Sequence, residues 1–214
     1  MPPNPLQTLR RLARTAALAA LCAHPAAALE RIDFATPNAP KEVAAALRNA
    51  SLLLTSERDK QTNPQDLFAA AQADYAQLLG TLYAAGHYSG TIHILIDGRE
   101  AASIAPLDAP RRIDVISVTV EPGPAFRFSR AAIAPLARGT TLPDGFRTGE
   151  IARSGTIRAA ATAGVEGWRD HGHAKARVAG QDITANHRNA LLSAAITLDA
   201  GPRLRFGPLI VKGN

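Results

Sequence analysis

The clearest hydrophobic pattern lies between residues 63 and 86 and predicts one long amphipathic helix. Asn63 suits the N-cap, Pro64 suits the first helical position, and Gly86 suits the position just past the last turn. Steps of three and four residues place the apolar side chains on one helical face. These side chains are Leu67, Phe68, Ala71, Tyr75, Leu78, Leu79 and Leu82.

Weaker patterns on either side predict a further helix and three strands. Ile32 and Phe34 indicate a short strand, and a helix is expected to start near Pro40. After Gly86 the period becomes two, because isoleucines occupy alternate positions between 91 and 96 before an Asp-Gly turn pair. A β-branched run over 113–121 then stops at a Pro-Gly-Pro segment. The order is strand, helix, helix, strand, strand.

The second half of the chain repeats this series. Ser154 is expected to cap a helix that Gly172 ends, and strands are predicted over 174–182 and 191–199. The segment 82–87 aligns with 168–173, and 118–128 aligns with 196–206. Periods of this length indicate repeated small domains rather than a solenoid. We therefore predict an α+β fold of tandem β-α-α-β-β units, each a short mixed sheet with two helices on one face.

Domain boundaries follow from the repeat and from the N-terminus. Residues 1–28 carry three arginines, a short apolar stretch and a final Ala-Ala-Ala, the pattern of a cleaved secretory signal peptide. The first unit is expected over 29–122 and the second over 124–200. The second joint motif also predicts that 203–214 is the opening strand of a truncated third unit.

Charge and cysteine content exclude several classes of partner and of site. The formal charge of +6 falls to +3 once the three leader arginines are removed, and no basic run interleaves with aromatic residues, so no nucleic-acid partner is expected. The single cysteine, Cys22, lies in the predicted leader. A disulfide framework, a thiolate metal site and a cysteine nucleophile are therefore excluded from the remaining chain.

The sheets of such units have unpaired edge strands, and an extended polypeptide can pair with an edge of this kind. Each added main-chain hydrogen bond contributes about 0.5–1.5 kcal/mol net, largely regardless of the visiting side chains. This chemistry suits transient binding of many unfolded polypeptides.

The combined motifs resemble the POTRA (polypeptide-transport-associated) domains of the Omp85 superfamily, and most closely those of the TamA-type subunit of the translocation and assembly module. The resemblance covers roughly residues 29–214 and rests on the runs 67–97 and 167–175 and on the two joints, 121–128 and 199–207. It implies a periplasmic arm before an outer-membrane barrel. The implied partners are unfolded outer-membrane or autotransporter clients and a TamB-like protein anchored in the inner membrane.

The sequence departs from that family pattern at its C-terminus. It ends at Asn214, and the barrel through which the family reaches the outer membrane is missing. Ser129 also replaces the glycine found at the second joint, Gly207. The protein is therefore expected in the periplasm, and at the outer membrane only if a full-length form carries the barrel.

Two segments are predicted to bind clients or partners as edge strands. The first comprises Thr91, Ile92, His93, Ile94, Leu95 and Ile96. The matching segment of the second unit comprises Lys175, Ala176, Arg177 and Val178. The opposing interpretation is that the three isoleucines face the helices and that a neighbouring unit covers the edge.

No enzymatic role, catalytic residue, metal or cofactor is expected. The cluster formed by Asp170, His171, His173 and His187 is interpreted as structural, since His171 and His173 stand two apart across a helix end, whereas helical zinc ligands favour steps of three or four. Two alternatives stay open. One is a secreted metal-dependent hydrolase that uses the His171/His173 region, and the other is a passive periplasmic spacer without affinity for clients.

Overall fold

The computed structural model describes residues 29–205 and 207. The predicted signal peptide lies outside these residues, as does most of the predicted third-unit strand, of which 203–205 and 207 have no regular secondary structure. Two small mixed sheets, each with α-helices beside it, form the described part, which confirms the α+β fold class.

The first sheet has four strands in the order β1-β4-β2-β3. Strand β1 (Arg31–Ala35) runs parallel to β4 (Val115–Glu121), and β2 (Thr91–Ile96) pairs antiparallel with β4 and with the two-residue β3 (Arg99–Glu100). Short 3₁₀ turns at Ala101–Ser103 and Pro106–Asp108 follow β3.

Three helices, not two, accompany this sheet: α1 (Lys41–Ala50), α2 (Leu52–Arg58) and α3 (Pro64–Ala85). Ser51 is extended between α1 and α2, and its hydroxyl caps α2 by accepting from the Leu54 N–H. The predicted limits of α3 are confirmed: the Asn63 side chain caps its first turn, and Gly86 ends it with a φ of 90°.

Helix α3 buries one acidic side chain, that of Asp74, which the hydrophobic pattern of the sequence does not predict. Asp74 is fully buried and accepts hydrogen bonds from the Ser51 hydroxyl at 2.7 Å and from the N–H groups of Leu52 at 2.7 Å and Leu53 at 3.3 Å. Its carboxylate therefore satisfies the free amides at the start of α2, where a negative charge is also favoured by the helix dipole. Asp74 ties α2 to α3.

The second sheet has three strands in the order β5-β7-β6. Strand β5 (Arg127–Ala134) is parallel to β7 (Leu191–Asp199), and β7 is antiparallel to β6 (Arg177–Asn186). Its parallel and antiparallel pairs match those of β1, β4 and β2 in the first sheet.

The helices of the second sheet differ from the prediction. Only α4 (Ser154–Asp170) accompanies it among residues 127–199. The stretch 135–153 has no α-helix, and its Leu142 and Phe146 pack in the second core. The capping role predicted for Ser154 is wrong, since Ser154 is the first helical residue and the N-cap is Arg153, which makes no side-chain capping bond.

Each sheet has its own hydrophobic core. The first draws its buried side chains from residues 32–120 and the second from residues 126–198. Helix α4 packs unusually close to the second sheet: a Cβ at Gly164 would lie 2.7 Å from the Leu198 side chain and 2.8 Å from that of Ile133. Among the described residues, no helix is both long and apolar enough to cross a membrane.

Candidate functional site: joints and sheet edges

The joint between the two sheets is built on the glycine that ends α3. The Gly86 carbonyl accepts from the Phe126 N–H at 2.8 Å, and the His87 Nδ1–H donates to the Gly123 carbonyl at 3.0 Å. A Cβ at Gly86 would meet the Ile151 side chain at 2.6 Å. Backbone from both sheets therefore meets closely here.

Aromatic side chains fill the rest of this joint. Tyr83 stacks on Tyr88 at 4.9 Å, Tyr88 meets the edge of Phe126 at 5.4 Å, and His187 meets Phe126 at 5.5 Å. The Tyr88 hydroxyl donates to the Ala152 carbonyl at 2.8 Å, and burial raises the pKa of Tyr88 to about 12. Phe126 is fully buried. The contacts fix the second sheet against the end of α3.

The same arrangement recurs at the end of the second unit. The Gly172 carbonyl accepts from the Leu204 N–H at 2.8 Å, and the His173 Nδ1–H donates to the Gly201 carbonyl at 2.9 Å. Leu204 takes the place of Phe126, yet 45% of its surface is exposed. The repeat found in the sequence is thus also a repeat of hydrogen bonds to the carbonyls of matched glycines.

These bonds also give the histidines a structural role. The Nδ1–H groups of His171 and His173 donate to two different backbone carbonyls, those of Gly167 and Gly201. No group of three or more potential metal ligands occurs within the described ranges.

The predicted client-binding segment of the first unit, Thr91–Ile96, forms β2, but the half of its outer edge from Ile94 to Ile96 is covered. Leu95 and Ile96 pair with β3. Ile94 is fully buried, its N–H donates to Glu100 Oε1 at 3.1 Å, and its carbonyl accepts from the Tyr75 hydroxyl at 3.3 Å. Thr91, Ile92 and His93 lie at the uncovered end.

Glu100 holds this cover together. Its carboxylate accepts from the Tyr75 hydroxyl and lies 3.1 Å from His93 Nδ1. Burial alone would raise the pKa of Glu100, but hydrogen bonds from Tyr75, the Ile94 N–H and His93 together hold that pKa below its usual value. Burial and the bond to Glu100 raise the pKa of Tyr75 to about 12.

The residues after β3 extend the cover onto the helix. Ala101 and Ile104 belong to the first core, and the Gln72 amide donates to the Ile104 carbonyl at 3.2 Å. Residues 99–104 therefore lie between β2 and α3, and we call them the cover segment. The sequence shows the turn before this segment but gives no sign of where the segment goes.

No such cover is found on the second unit among residues 29–205 and 207. Its β6 and β7 are joined by a short turn at 187–190, and β6 pairs only with β7 in the described part of the chain. Of the predicted binding residues here, Arg177 and Val178 open β6, exposed Lys175 precedes it, and Ala176 is buried. The free edge extends to Asn186, well beyond the predicted segment.

A groove runs beside this free edge, between α4 and β6. Its volume is about 320 Å³. Ala161, Val165 and Val178 provide its apolar surface, and Arg158 and Arg169 stand among its polar residues. Ile183, which shares a face with the buried Ala194 of β7, is 44% exposed. An open main-chain edge and a partly apolar groove thus lie side by side.

The other two outer edges are less suited to strand addition. Strand β1 has five residues and carries an exposed Arg31–Asp33 ion pair, and short charged edges resist pairing. The start of β5 is already engaged, because Phe128 exchanges backbone hydrogen bonds with Gly149 and Glu150. Strand β6 offers the longest free edge among the described strands.

Comparison with solved structures finds low-identity matches. A crystal structure of Haemophilus influenzae BamA POTRA3-5 is similar over 87% of this chain and 73% of that one, with 15% identity and a TM-score of 0.48. POTRA1-2 of the periplasmic domain of Omp85 from Anabaena is similar over 79% and 94%, with 13% identity and a TM-score of 0.41. No family model and no curated protein matches the sequence.

Proposed function

We propose that this chain is the periplasmic POTRA arm of a TamA-like outer-membrane assembly factor and that it binds unfolded client polypeptides by strand addition. The free edge of β6, ten residues long and next to an open groove, is the observation that carries this proposal. An extended client segment that pairs along β6 gains about 0.5–1.5 kcal/mol for each main-chain hydrogen bond. Binding of this kind needs no catalytic group.

The repeated joint supports the arm in this proposal. At both joints a left-handed glycine ends the helix, with a φ of 90° at Gly86 and 88° at Gly172, and the same two kinds of hydrogen bond follow. The two units in this proposal are 29–122 and 124–200, and 203–214 is the opening strand of a truncated third unit. The first unit docks a TamB-like inner-membrane-anchored partner.

Photo-cross-linking tests client binding directly. A benzoylphenylalanine is placed at Thr184, which is exposed on β6, or at Asp33, which is exposed on the matched edge strand β1. Each variant is mixed with a urea-unfolded outer-membrane barrel protein, diluted and illuminated. Adducts from Thr184 and not from Asp33 support strand addition at β6.

The same experiment tests the competing roles. Equal cross-linking at both positions would show nonspecific capture, and no adduct at either position would favour the passive spacer. Addition of prefolded barrel protein serves as the control, because a folded barrel has no free strand to donate.

A further inference from the structure

The cover segment of the first unit shows what kind of segment fits the groove of the second. Counted back from the glycines that end α3 and α4, Gln72 corresponds to Arg158, Tyr75 to Ala161 and Leu79 to Val165. All three α4 residues line the groove. Two of their α3 counterparts, Gln72 and Tyr75, contact the cover segment or its neighbours.

The strand that forms the other side of the groove also corresponds between the two units, as the pairing register shows. Ile94 pairs with Val118 of β4, and Gln181 pairs with Ile196 of β7, each three residues before the end of its partner strand. In the first unit the cover segment supplies a carboxylate to the Ile94 N–H. In the second unit no described side chain bonds to the Gln181 backbone, and the groove is open.

We infer that the groove between α4 and β6 receives a client segment in the position that the cover segment occupies in the first unit. This inference rests on the proposed function and specifies its ligand. The segment pairs antiparallel to β6, as β3 pairs with β2. The first unit, whose Ile94–Ile96 edge is covered by its own chain, does not offer the same position to a client.

Ala161 of the second unit occupies the position that Tyr75 occupies in the first. This difference in size determines which client side chain fits the groove. In the first unit the tyrosine ring stands beside the cover segment, which supplies only the small Ala101 at the start of its buried part. In the second unit Ala161 is small and leaves the groove open. A leucine, isoleucine or phenylalanine of the client therefore fits where Ala101 fits in the first unit.

Charge defines a second preference. Arg158 replaces the neutral Gln72 beside Ala161, while Glu166 and Arg169, whose Nη2 donates to the Ala176 carbonyl at 3.4 Å, stand further along the same groove. Neither arginine takes part in any of the ion pairs between described residues. A guanidinium forms bidentate bonds with a carboxylate, so a client acidic residue next to the large apolar one is favoured.

The test uses a defined peptide and the full chain labelled with ¹⁵N. The probe is acetyl-Arg-Glu-Leu-Ala-Ser-Ile-Ala-amide, which is the sequence 99–105 with Ala101→Leu. Three comparison peptides keep the original alanine, replace the glutamate by glutamine, or carry an N-methyl group on the arginine, which stands for Arg99, the partner of Ile96 in the ladder with β2. Binding is followed by amide chemical shifts during titration.

The probe is expected to shift amides in β6 and α4 and to bind about fivefold more tightly than the alanine peptide. Ala161→Tyr, which restores the side chain of the first unit, should weaken binding at least tenfold. Thr162→Trp, at an exposed groove position, gives the same test if Ala161→Tyr fails to fold. Arg158→Gln should abolish the preference for glutamate over glutamine.

The outcomes separate this inference from the proposed function. Shifts centred on Thr91–Ile96, or equal affinity for the alanine and leucine peptides, would overturn the inference and leave strand addition in place. Equal binding of the N-methylated peptide would overturn strand addition itself, because that peptide lacks a backbone donor. Absence of binding by all four peptides would overturn the inference, while cross-linking of unfolded barrel protein at Thr184 still decides the proposed function.

Discussion

Substitution of Gly86 by alanine tests whether the two sheets are held together at the joint. Two effects add at this position. The φ of 90° lies in the left-handed region, where alanine loses about 1–2 kcal/mol relative to glycine. The new Cβ would also stand 2.6 Å from the Ile151 side chain of the second unit, an overlap that costs about 1–3 kcal/mol to relieve. Gly86→Ala should therefore lower the free energy of unfolding by about 2–5 kcal/mol.

Gly172→Ala is the matched control. Its φ is 88°, but its Cβ would meet nothing closer than the Arg203 side chain at 3.4 Å, which is an ordinary contact. Only the backbone effect of about 1–2 kcal/mol remains. Urea denaturation followed by circular dichroism measures both losses. In an Ile151→Ala background, the effect of Gly86→Ala should fall to that of Gly172→Ala, as expected for two residues in direct contact.

Equal losses for Gly86→Ala and Gly172→Ala would refute this reasoning, as would a Gly86→Ala effect that does not depend on the side chain at 151. Small-angle scattering adds a second measurement. The relation between the two units should change in Gly86→Ala and stay unchanged in Gly172→Ala.

Three further predictions concern the fold that presents the edge. Asp74→Ala should destabilise the protein by about 3 kcal/mol in urea denaturation, because it leaves buried donors at the start of α2 unpaired. Gly164→Ala should cost about 1–3 kcal/mol through its close approach to the second sheet, whereas Gly155→Ala on the same helix has open space and should be neutral or stabilising. The lowered pKa of Glu100 means that its carboxylate adds stability above its ordinary pKa of 4.5, and this stability is lost as the pH falls through the lower folded-state value. Tyr75→Phe removes one of the bonds that lower that pKa, so the acid-induced loss measured by thermal denaturation from pH 6 to pH 3 should be smaller in this variant.

Each of these predictions has a contrary result. An Asp74→Ala variant as stable as the parent would show that water satisfies the start of α2. Equal effects of alanine at 164 and 155 would show that α4 is not in close contact with the sheet. An unchanged pH profile in Tyr75→Phe would remove the tyrosine from the causes of the Glu100 shift.

The sequence predicts those elements whose ends are determined locally. Asn63, Pro64 and Gly86 fix the limits of α3 without help from distant residues, and the alternating isoleucines define β2. The sequence also predicts the two joints, because the Gly-His pair at 86–87 recurs at 172–173. The N-cap predicted at Ser154 is wrong because a serine near a helix start suits both the N-cap and the first helical position, which Ser154 occupies.

The difference between the two edges was not predictable from the pattern. The turn at Asp97-Gly98 is visible in the sequence, but the return of the cover segment across β2 depends on Tyr75 and Glu100, which lie far apart in the chain. The burial of Asp74 likewise depends on a partner more than twenty residues away. Tertiary contacts of this kind leave no periodic signal.

Hydrogen exchange of β6 on client binding measures strand addition most directly. In an antiparallel pair with β7, alternate β6 amides face away from the sheet and are free to exchange. When an unfolded barrel protein is bound, those outward amides between 177 and 186 should slow markedly, while the amides of β1 keep their rates. Client binding without any slowing in β6 would contradict strand addition at this edge.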